Sequence, residues 1–184
     1  VFIISGNHDS AERIAFGARI MQSGNIFMSP VYDGNIEKHT LSDEWGNVNV
    51  FMLPFIKPVN VRQAFPDDEI NSYTDAVSCA LGHISLDESE RNVILSHQFV
   101  TGAIKSDSEE ISLGGTDNVD VCAYDKFDYV ALGHIHSPQK LVRDTVRYCG
   151  TPLKYSFSEC RHNKSVTVVE MKEKGDVEIL LVPL

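Results

Sequence analysis

The sequence lacks the features that stabilise small secreted proteins or anchor proteins in membranes. Its four cysteines, Cys79, Cys122, Cys149 and Cys160, form no C-x-x-C pair and match no zinc-ribbon spacing. We therefore expect reduced, mostly buried thiols in a cytoplasmic protein rather than disulfides. No apolar run approaches the roughly 20 residues that a membrane helix needs. The apolar start also lacks the basic segment of a signal peptide.

Basic residues are also scarce. The chain has 16 Lys and Arg against 26 Asp and Glu, which gives a net charge of −10. This charge excludes a protein that holds nucleic acid by a broad basic surface, but not an enzyme that meets DNA at a metal site or through a partner. The 184 residues suffice for one domain. The chain starts at Val1, inside a strand-like run, which favours a fragment of a longer protein.

Three apolar runs, at residues 1–5, 92–96 and 128–133, each end in polar residues that can bind metal ions. The first run is nearly continuous, which predicts a strand covered on both faces. In open α/β sheets, ligands bind beyond the carboxyl ends of the strands. If the three runs are parallel neighbours, the side chains that follow them converge on one crevice. Four of the seven histidines lie at these ends. The converging residues are Asn7, His8, Asp9, His97, His134 and His136.

Spacing and charge suggest what such a crevice would do. In extended backbone, residues two apart point to the same side, so His134 and His136 would serve one metal ion or two adjacent ions. Two-metal sites of this kind hydrolyse phosphoesters. We assign His8 as the general acid, with Asp9 orienting its ring. Asp9 is the one carboxylate in the set, so the site is either mononuclear or takes carboxylates from residues before Val1.

The rest of the pattern predicts a mixed α/β domain. A helix should follow Ser10 with Ile14, Ala18 and Met21 on its buried face, and a second should span 70–84. Short strands are expected at 26–28, 36–41, 48–55, 140–142 and 145–149, and a hairpin at 164–182. The proline-containing region 54–69 should be irregular. The acidic region 101–118 is either a mobile surface loop or a loop that faces the substrate.

Several stretches are similar to a known family. Gly6-Asn7-His8-Asp9, Ser96-His97 and Gly133-His134-Ile135-His136 resemble the third, fourth and fifth motifs of the calcineurin-like metallophosphoesterases. Longer stretches narrow the resemblance to the SbcD family of bacterial nuclease subunits, and it runs essentially the whole length of the chain. These stretches are residues 5–10, 114–121, 127–136 and 147–159.

The resemblance implies a fold, an activity and partners. The fold is a four-layer α/β/β/α metallophosphoesterase sandwich, N-terminally truncated here because the first two family motifs would precede Val1. The activity is a two-metal, usually Mn²⁺-supported DNA nuclease that acts on ends and hairpins in DNA repair and recombination. The partners are DNA, the SMC-like ATPase SbcC and a second copy of the nuclease subunit.

The motif match also implies roles for individual residues. Asn7, His97 and His134 would bind one metal ion, and His136 would help to bind the second. His8 would be the catalytic histidine, supported by Asp9. The absent motifs carry the missing carboxylates, and the DNA-contacting cap would follow Leu184. Residues 1–184 are therefore expected to be a partial nuclease domain that is inactive alone.

Two other functions stay open. The chain could belong to a different phosphoesterase that acts on nucleotides or phosphoproteins, although the stretch at 147–159 argues against this. It could also be a non-catalytic fragment whose role is contact with the ATPase partner.

Overall fold

The structure is a computed structural model that describes residues 1–22, 24–109 and 117–184. Its α-helices are α1 (Ala11–Gln22), α2 (Pro58–Ala64) and α3 (Tyr73–Gly82). Short 3-10 helices cover Val121–Tyr124 and Phe157–Arg161. The strands are, in chain order, β1 (Phe2–Ile4), β2 (Phe27–Ser29), β3 (Glu37–Asp43), β4 (Gly46–Leu53), β5 (Arg91–His97), β6 (Phe99–Val100), β7 (Asn118–Val119), β8 (Tyr129–Gly133), β9 (Gln139–Leu141), β10 (Arg143–Tyr148), β11 (Ser165–Met171) and β12 (Val177–Pro183).

A six-stranded mixed sheet forms the centre of the fold, in the order β3-β4-β5-β8-β10-β9. Strands β4, β5, β8 and β10 are parallel, and the two edge strands are antiparallel to their neighbours. The expected α/β class is therefore confirmed. The four-layer sandwich stays a prediction. Because β5 and β8 are parallel neighbours, their carboxyl ends meet, and His97 lies opposite Gly133.

The core lies between this sheet and α3. Ser72 begins α3 with a capping box, in which its Oγ accepts from the Asp75 N–H at 3.0 Å and the Asp75 carboxylate accepts from the Ser72 N–H at 2.9 Å. This cap fixes the start of the helix. The small apolar side chains of α3 pack in the same core cluster as those of the strands. The core side chains include Phe51, Leu53, Ala76, Val77, Ala80, Ile94, Val130 and Leu132.

Most predicted elements are present. Strands β3 and β4 pair across a tight turn at residues 44–45, and β11 pairs with β12 along its whole length. Helix α2 replaces part of the expected irregular connection. Pro58 occupies its first turn, where a missing N–H costs nothing. Residues 110–116, in the middle of the predicted acidic loop, lie outside the described residues.

The N-terminal strand differs from the prediction. Among the described residues β1 pairs only with β2, so it is not a hydrogen-bonded neighbour of β5 and β8. Ile3 is 36% exposed, and β1 is therefore not covered on both faces. The Ser5 carbonyl instead accepts from the Phe55 N–H at 3.0 Å, which joins the end of β1 to the segment after β4. The predicted buried face of α1 is also wrong at Met21, which is exposed.

The cysteines and the helices bear on two further expectations. All four cysteines are free, but only Cys79 is partly buried, so the expectation of mostly buried thiols is wrong. In the described part of the chain, no helix is both long enough and apolar enough to cross a membrane.

Candidate metal centre

The His97 ring is packed between two glycines at the end of the sheet. A Cβ atom added to Gly6 would lie 2.6 Å from His97 Cε1, and one added to Gly133 would lie 2.8 Å from His97 Nδ1. Real Cβ atoms do not approach other atoms this closely, so both positions need glycine. The turn after β1 and the end of β8 thereby form the two sides of a slot for the imidazole.

Asn7 connects the two histidines of the neighbouring strand ends. Its Oδ1 lies 3.0 Å from His97 Nε2 and 3.3 Å from His134 Nδ1. The two imidazoles meet edge-on, with ring centroids 5.4 Å apart. Three strand ends that are distant in sequence therefore deliver one amide oxygen and two imidazoles to one place. This convergence occurs although β1 belongs to a different sheet from β5 and β8.

The backbone of His134 is in an unusual conformation. Its φ angle is +102°, a region that side chains other than glycine rarely adopt, at a cost of about 1–3 kcal/mol. Its Nε2 is buried and has no hydrogen-bond partner among the described residues. A buried polar atom without a partner is unfavourable unless a ligand completes it. The strain and the unpartnered nitrogen both indicate a binding site.

Both imidazoles favour the neutral form. Burial lowers the pKa of His97 to about 4, and the neighbouring His134 ring contributes to that shift. Burial also lowers the pKa of His134. Neutral imidazole is the form that binds metal ions, so at neutral pH neither ring has to lose a proton first.

His134 and His136 face the same cavity but have different partners. The segment is not a strand, because β8 ends at Gly133, yet the expected alternation holds: Ile135 is buried in the core between the two histidines. His136 Nδ1 lies 3.0 Å from Glu159 Oε1 and 3.0 Å from Ser108 Oγ. These contacts engage Nδ1 and leave Nε2 as the ring nitrogen available to a ligand.

A buried ion pair supports the His136 side of the cleft. Glu159 Oε2 accepts from Lys164 Nζ at 2.7 Å, and both side chains are almost fully buried. Lys164 also donates to the His136 carbonyl and to Thr151 Oγ1, each at 2.9 Å. Burial alone would raise the pKa of Glu159, but hydrogen bonds from Lys164, Ser108 and His136 hold it well below its usual range. Glu159 is therefore ionised.

A cavity of about 140 Å³ lies at these strand ends. The polar residues that line it are Asn7, His8, His97, Glu109, His134, His136 and Thr151. His8 is exposed, and its ring makes no hydrogen bond to any residue that the structure describes. Asp9, expected to orient the His8 ring, makes a different contact among the described residues: its Oδ2 accepts from the Gly6 N–H at 2.6 Å. Asp9 thus closes the turn that presents Asn7 and His8.

Sequence reasoning missed three residues near the cavity, which are Ser108, Glu109 and Glu159. Glu109 Oε1 accepts from the His136 N–H at 2.5 Å, and its other oxygen accepts from Ser106. Glu109 corrects the expectation that no further carboxylate points into the crevice. Glu109 lies in the acidic region 101–118, for which a loop facing the substrate was one of the two alternatives, but no pattern singled out this residue. Glu159 ends one of the stretches that resemble the family.

The donor set fits a divalent ion. The amide oxygen of Asn7 and the two neutral imidazoles, one of which has an unpartnered Nε2, are suitable ligands for a first-row metal ion. Within the described ranges, however, no third imidazole, thiol or carboxylate joins His97 and His134 in a cluster of mutual distances below 4.8 Å. The set formed by Asn7, His97 and His134 is therefore nearly neutral.

Comparison with known proteins gives the relationship. No protein-family model matches the chain. The D subunit of the SbcCD nuclease of Staphylococcus epidermidis is 31% identical over 187 residues, which cover 100% of this chain and 49% of that protein. The protein of the same name in Staphylococcus saprophyticus is 30% identical, covering 95% of this chain and 46% of that protein. The chain is similar to the SbcD nuclease subunits. It spans about half the length of these curated relatives.

A Gly6→Ala substitution tests the slot around His97. The added Cβ would overlap the His97 ring, so we expect a loss of about 1–3 kcal/mol in the free energy of unfolding, measured by urea denaturation. Gly82→Ala is the matched control, since a Cβ there meets no atom within 4 Å. Equal stability of the two variants would show that the ring is not confined.

The buried ion pair predicts a large effect of Glu159→Gln. This variant leaves Lys164 buried without a counter-charge, so we expect a loss of about 3 kcal/mol in the free energy of unfolding. Asp144→Asn is the control, because it removes only an exposed ion pair with Lys140, which water screens. An effect of Glu159→Gln no larger than that of Asp144→Asn would contradict the prediction.

The histidine pKa values predict how stability changes with pH. Folded His97 has a pKa of about 4, whereas in the unfolded chain its pKa is about 6.5. The unfolded state therefore binds a proton that the folded state does not, and stability falls as pH decreases below about 6.5. For the metal-free chain we expect a slope of up to about 1.4 kcal/mol per pH unit between about pH 6.5 and 5. His97→Asn should have a smaller slope than the parent chain. The control variant His39→Gln should have a slope closer to that of the parent chain.

Proposed function

We propose that this chain forms the imidazole-rich part of an SbcD-like nuclease subunit, which hydrolyses phosphodiester bonds in DNA. The observation that carries the proposal is the cluster of Asn7, His97 and His134 at three strand ends, with the unpartnered His134 Nε2 beside a cavity that His8 also lines. The shared name of the two curated relatives, which describes a nuclease component, supports the same reaction class.

The residues divide into two binding groups. Asn7, His97 and His134 would hold one divalent ion, and His136 would contribute Nε2 to a second, with Mn²⁺ as the proposed metal. Divalent ions bound there would offset the negative charge of a phosphodiester and supply an activated water molecule. The buried Glu159 fixes the orientation of His136 by engaging Nδ1. Such an orienting contact to the second ring nitrogen is usual for histidines that bind metal ions.

His8 is suited to deliver a proton. It lies at the cavity, is exposed, and its ring is not committed to a hydrogen bond within the described part of the chain. A histidine in this state can donate a proton to the leaving oxygen of the cleaved ester. Asp9 acts through the backbone: its hydrogen bond to the Gly6 N–H holds the turn on which Asn7 and His8 sit.

The charge of the cleft limits what this chain does alone. Glu109 is the carboxylate that lines the described cavity, and hydrogen bonds from His136 and Ser106 engage both of its oxygens. Two divalent ions carry about four positive charges and normally bind several carboxylates. We therefore propose that further ligands, and the remaining layers of a four-layer sandwich, belong to a longer protein.

We extend the proposal to the assembly and its location. The relatives are named as the D subunit of SbcCD, a name that implies a second component. We propose an SbcC-type ATPase as that partner, a homodimer of the nuclease subunit, DNA ends and hairpins as substrates, a role in DNA repair and recombination, and a cytoplasmic location.

Nuclease activity is tested in the longer protein. We expect Mn²⁺-dependent cleavage of linear duplex and hairpin DNA, and no comparable hydrolysis of cyclic nucleotides or phosphopeptides. His8→Gln should lower kcat by about 10²–10⁴-fold, because it removes a general acid. His39→Gln is the control, since that histidine packs on Phe2 and Phe27 and does not line the cavity. Preference for a nucleotide or phosphopeptide would instead support the other phosphoesterase class.

The isolated chain should cleave linear DNA far more slowly than the longer protein. It should also fail to capture an SbcC-type ATPase in a pull-down. Cleavage by the isolated chain at a similar rate would refute the proposed carboxylate shortage, and capture of the ATPase would favour the partner-binding alternative.

A further inference from the structure

A second group of metal-ligating side chains lies outside the cleft. Asp68 belongs to the connection between α2 and α3, Cys79 lies in the last turns of α3, and His83 follows directly after that helix. One potential ligand atom from each residue lies within 4.8 Å of the other two. In the described ranges of the chain, this is the one such group of three histidine, cysteine, aspartate or glutamate residues.

The distances are close to those in a tetrahedral site. Cys79 Sγ lies 3.2 Å from Asp68 Oδ2, and His83 Nε2 lies 3.8 Å from the same oxygen. The other nitrogen of that ring, Nδ1, lies 3.8 Å from Cys79 Sγ, which shows how close the ring is to the thiol but is not a distance between two ligand atoms. The potential ligand atoms of the three residues all lie within 4.8 Å of one another. Ligand atoms bonded to Zn²⁺ at about 2.0–2.3 Å in a tetrahedron are roughly 3.3–3.8 Å apart. Small side-chain movements would therefore bring three ligands onto one ion.

The His83 ring is already oriented for this role. Its Nδ1 lies 2.9 Å from the Cys79 carbonyl oxygen, to which the Nδ1–H donates, so Nε2 is the ring nitrogen that faces a ligand. The 3.8 Å between Nε2 and Asp68 is too long for a hydrogen bond. Phe65 stacks on the imidazole at a centroid distance of 3.8 Å. A histidine that binds a metal ion commonly donates its other N–H to a backbone carbonyl in this way.

We propose that Asp68, Cys79 and His83 bind a Zn²⁺ ion that fastens the α2–α3 connection to the end of α3. A thiolate, an imidazole and a carboxylate are the ligand types that Zn²⁺ takes, and solvent would fill the fourth position. The site is accessible, since the side chains of Asp68 and His83 are nearly half exposed. This site does not depend on the proposed nuclease function.

Without an ion, the Cys79 thiol donates a hydrogen bond to the Asp68 carboxylate. Burial and the neighbouring Asp68 carboxylate raise the pKa of Cys79 to about 11, so without an ion the thiol keeps its proton. Binding of Zn²⁺ replaces that proton, which passes to solvent, and the S–Zn bond forms in its place.

Cobalt is the probe for this site. After treatment of the chain with a chelator, Co²⁺ should give a thiolate-to-cobalt absorption band that one equivalent of Zn²⁺ removes. Cys79→Ser should abolish the band, and Asp68→Asn and His83→Gln should each weaken Co²⁺ binding by at least about tenfold, or about 1.4 kcal/mol. Cys122→Ser and Asp67→Asn are matched controls that should leave the titration unchanged. Zn²⁺ should also raise the unfolding temperature of the parent chain but not that of Cys79→Ser.

Two results would overturn the proposal. One is the absence of a thiolate band in parent chain that circular dichroism shows to be folded. The other is a band that Asp68→Asn and His83→Gln leave at parental affinity, which would mean that Cys79 alone attracts the ion. Among the described residues, no cysteine lines the catalytic cleft. The thiolate band therefore does not arise from that cleft, and its failure is distinct from a failure of nuclease activity.

Discussion

The confinement of the His97 imidazole between Gly6 and Gly133 determines the shape of the cleft. The ring touches the backbone of two strand ends that belong to different sheets, and it leaves no space for a Cβ on either side. Asn7 reaches Nε2 because the turn at Gly6 lies directly against the ring. The same close packing removes the ring from water and keeps it neutral. The packing of this one ring therefore determines both the position of Asn7 and the neutral state of His97.

The two sides of the cleft rest on different physical interactions. On the Asn7 side the groups are neutral, and packing holds them. On the His136 side an ionised carboxylate and an ammonium group are buried together, and their hydrogen bonds fix the ring and the adjacent backbone. A buried pair of this kind adds little net stability compared with apolar packing, but it specifies one arrangement. The neutral side carries the candidate ligands Asn7, His97 and His134, and the ionic side orients the His136 ring.

The sequence was sufficient to predict the strand ends, but not what surrounds them. Strands β5 and β8 are buried and apolar, so their polar ends are recognisable from local pattern alone. Ser108 and Glu109 lie in a loop, and long-range packing rather than periodicity brings them to His136. The prediction that β1 is covered on both faces was wrong, because an apolar run does not reveal which other elements pack on it. Pro58 was interpreted as a break, although proline also begins helices.

Asn7 contacts His97, which lies 90 positions further along the chain, and His134, which lies 127 positions further along. Contacts between such distant residues form late, because closing a long loop costs entropy before any contact offsets it. During synthesis, Asn7 and His97 leave the ribosome well before His134, and the orienting Glu159 follows later still. The cleft is therefore absent from every nascent chain that ends before β8, so an incomplete chain lacks the set of side chains that would capture a metal ion there.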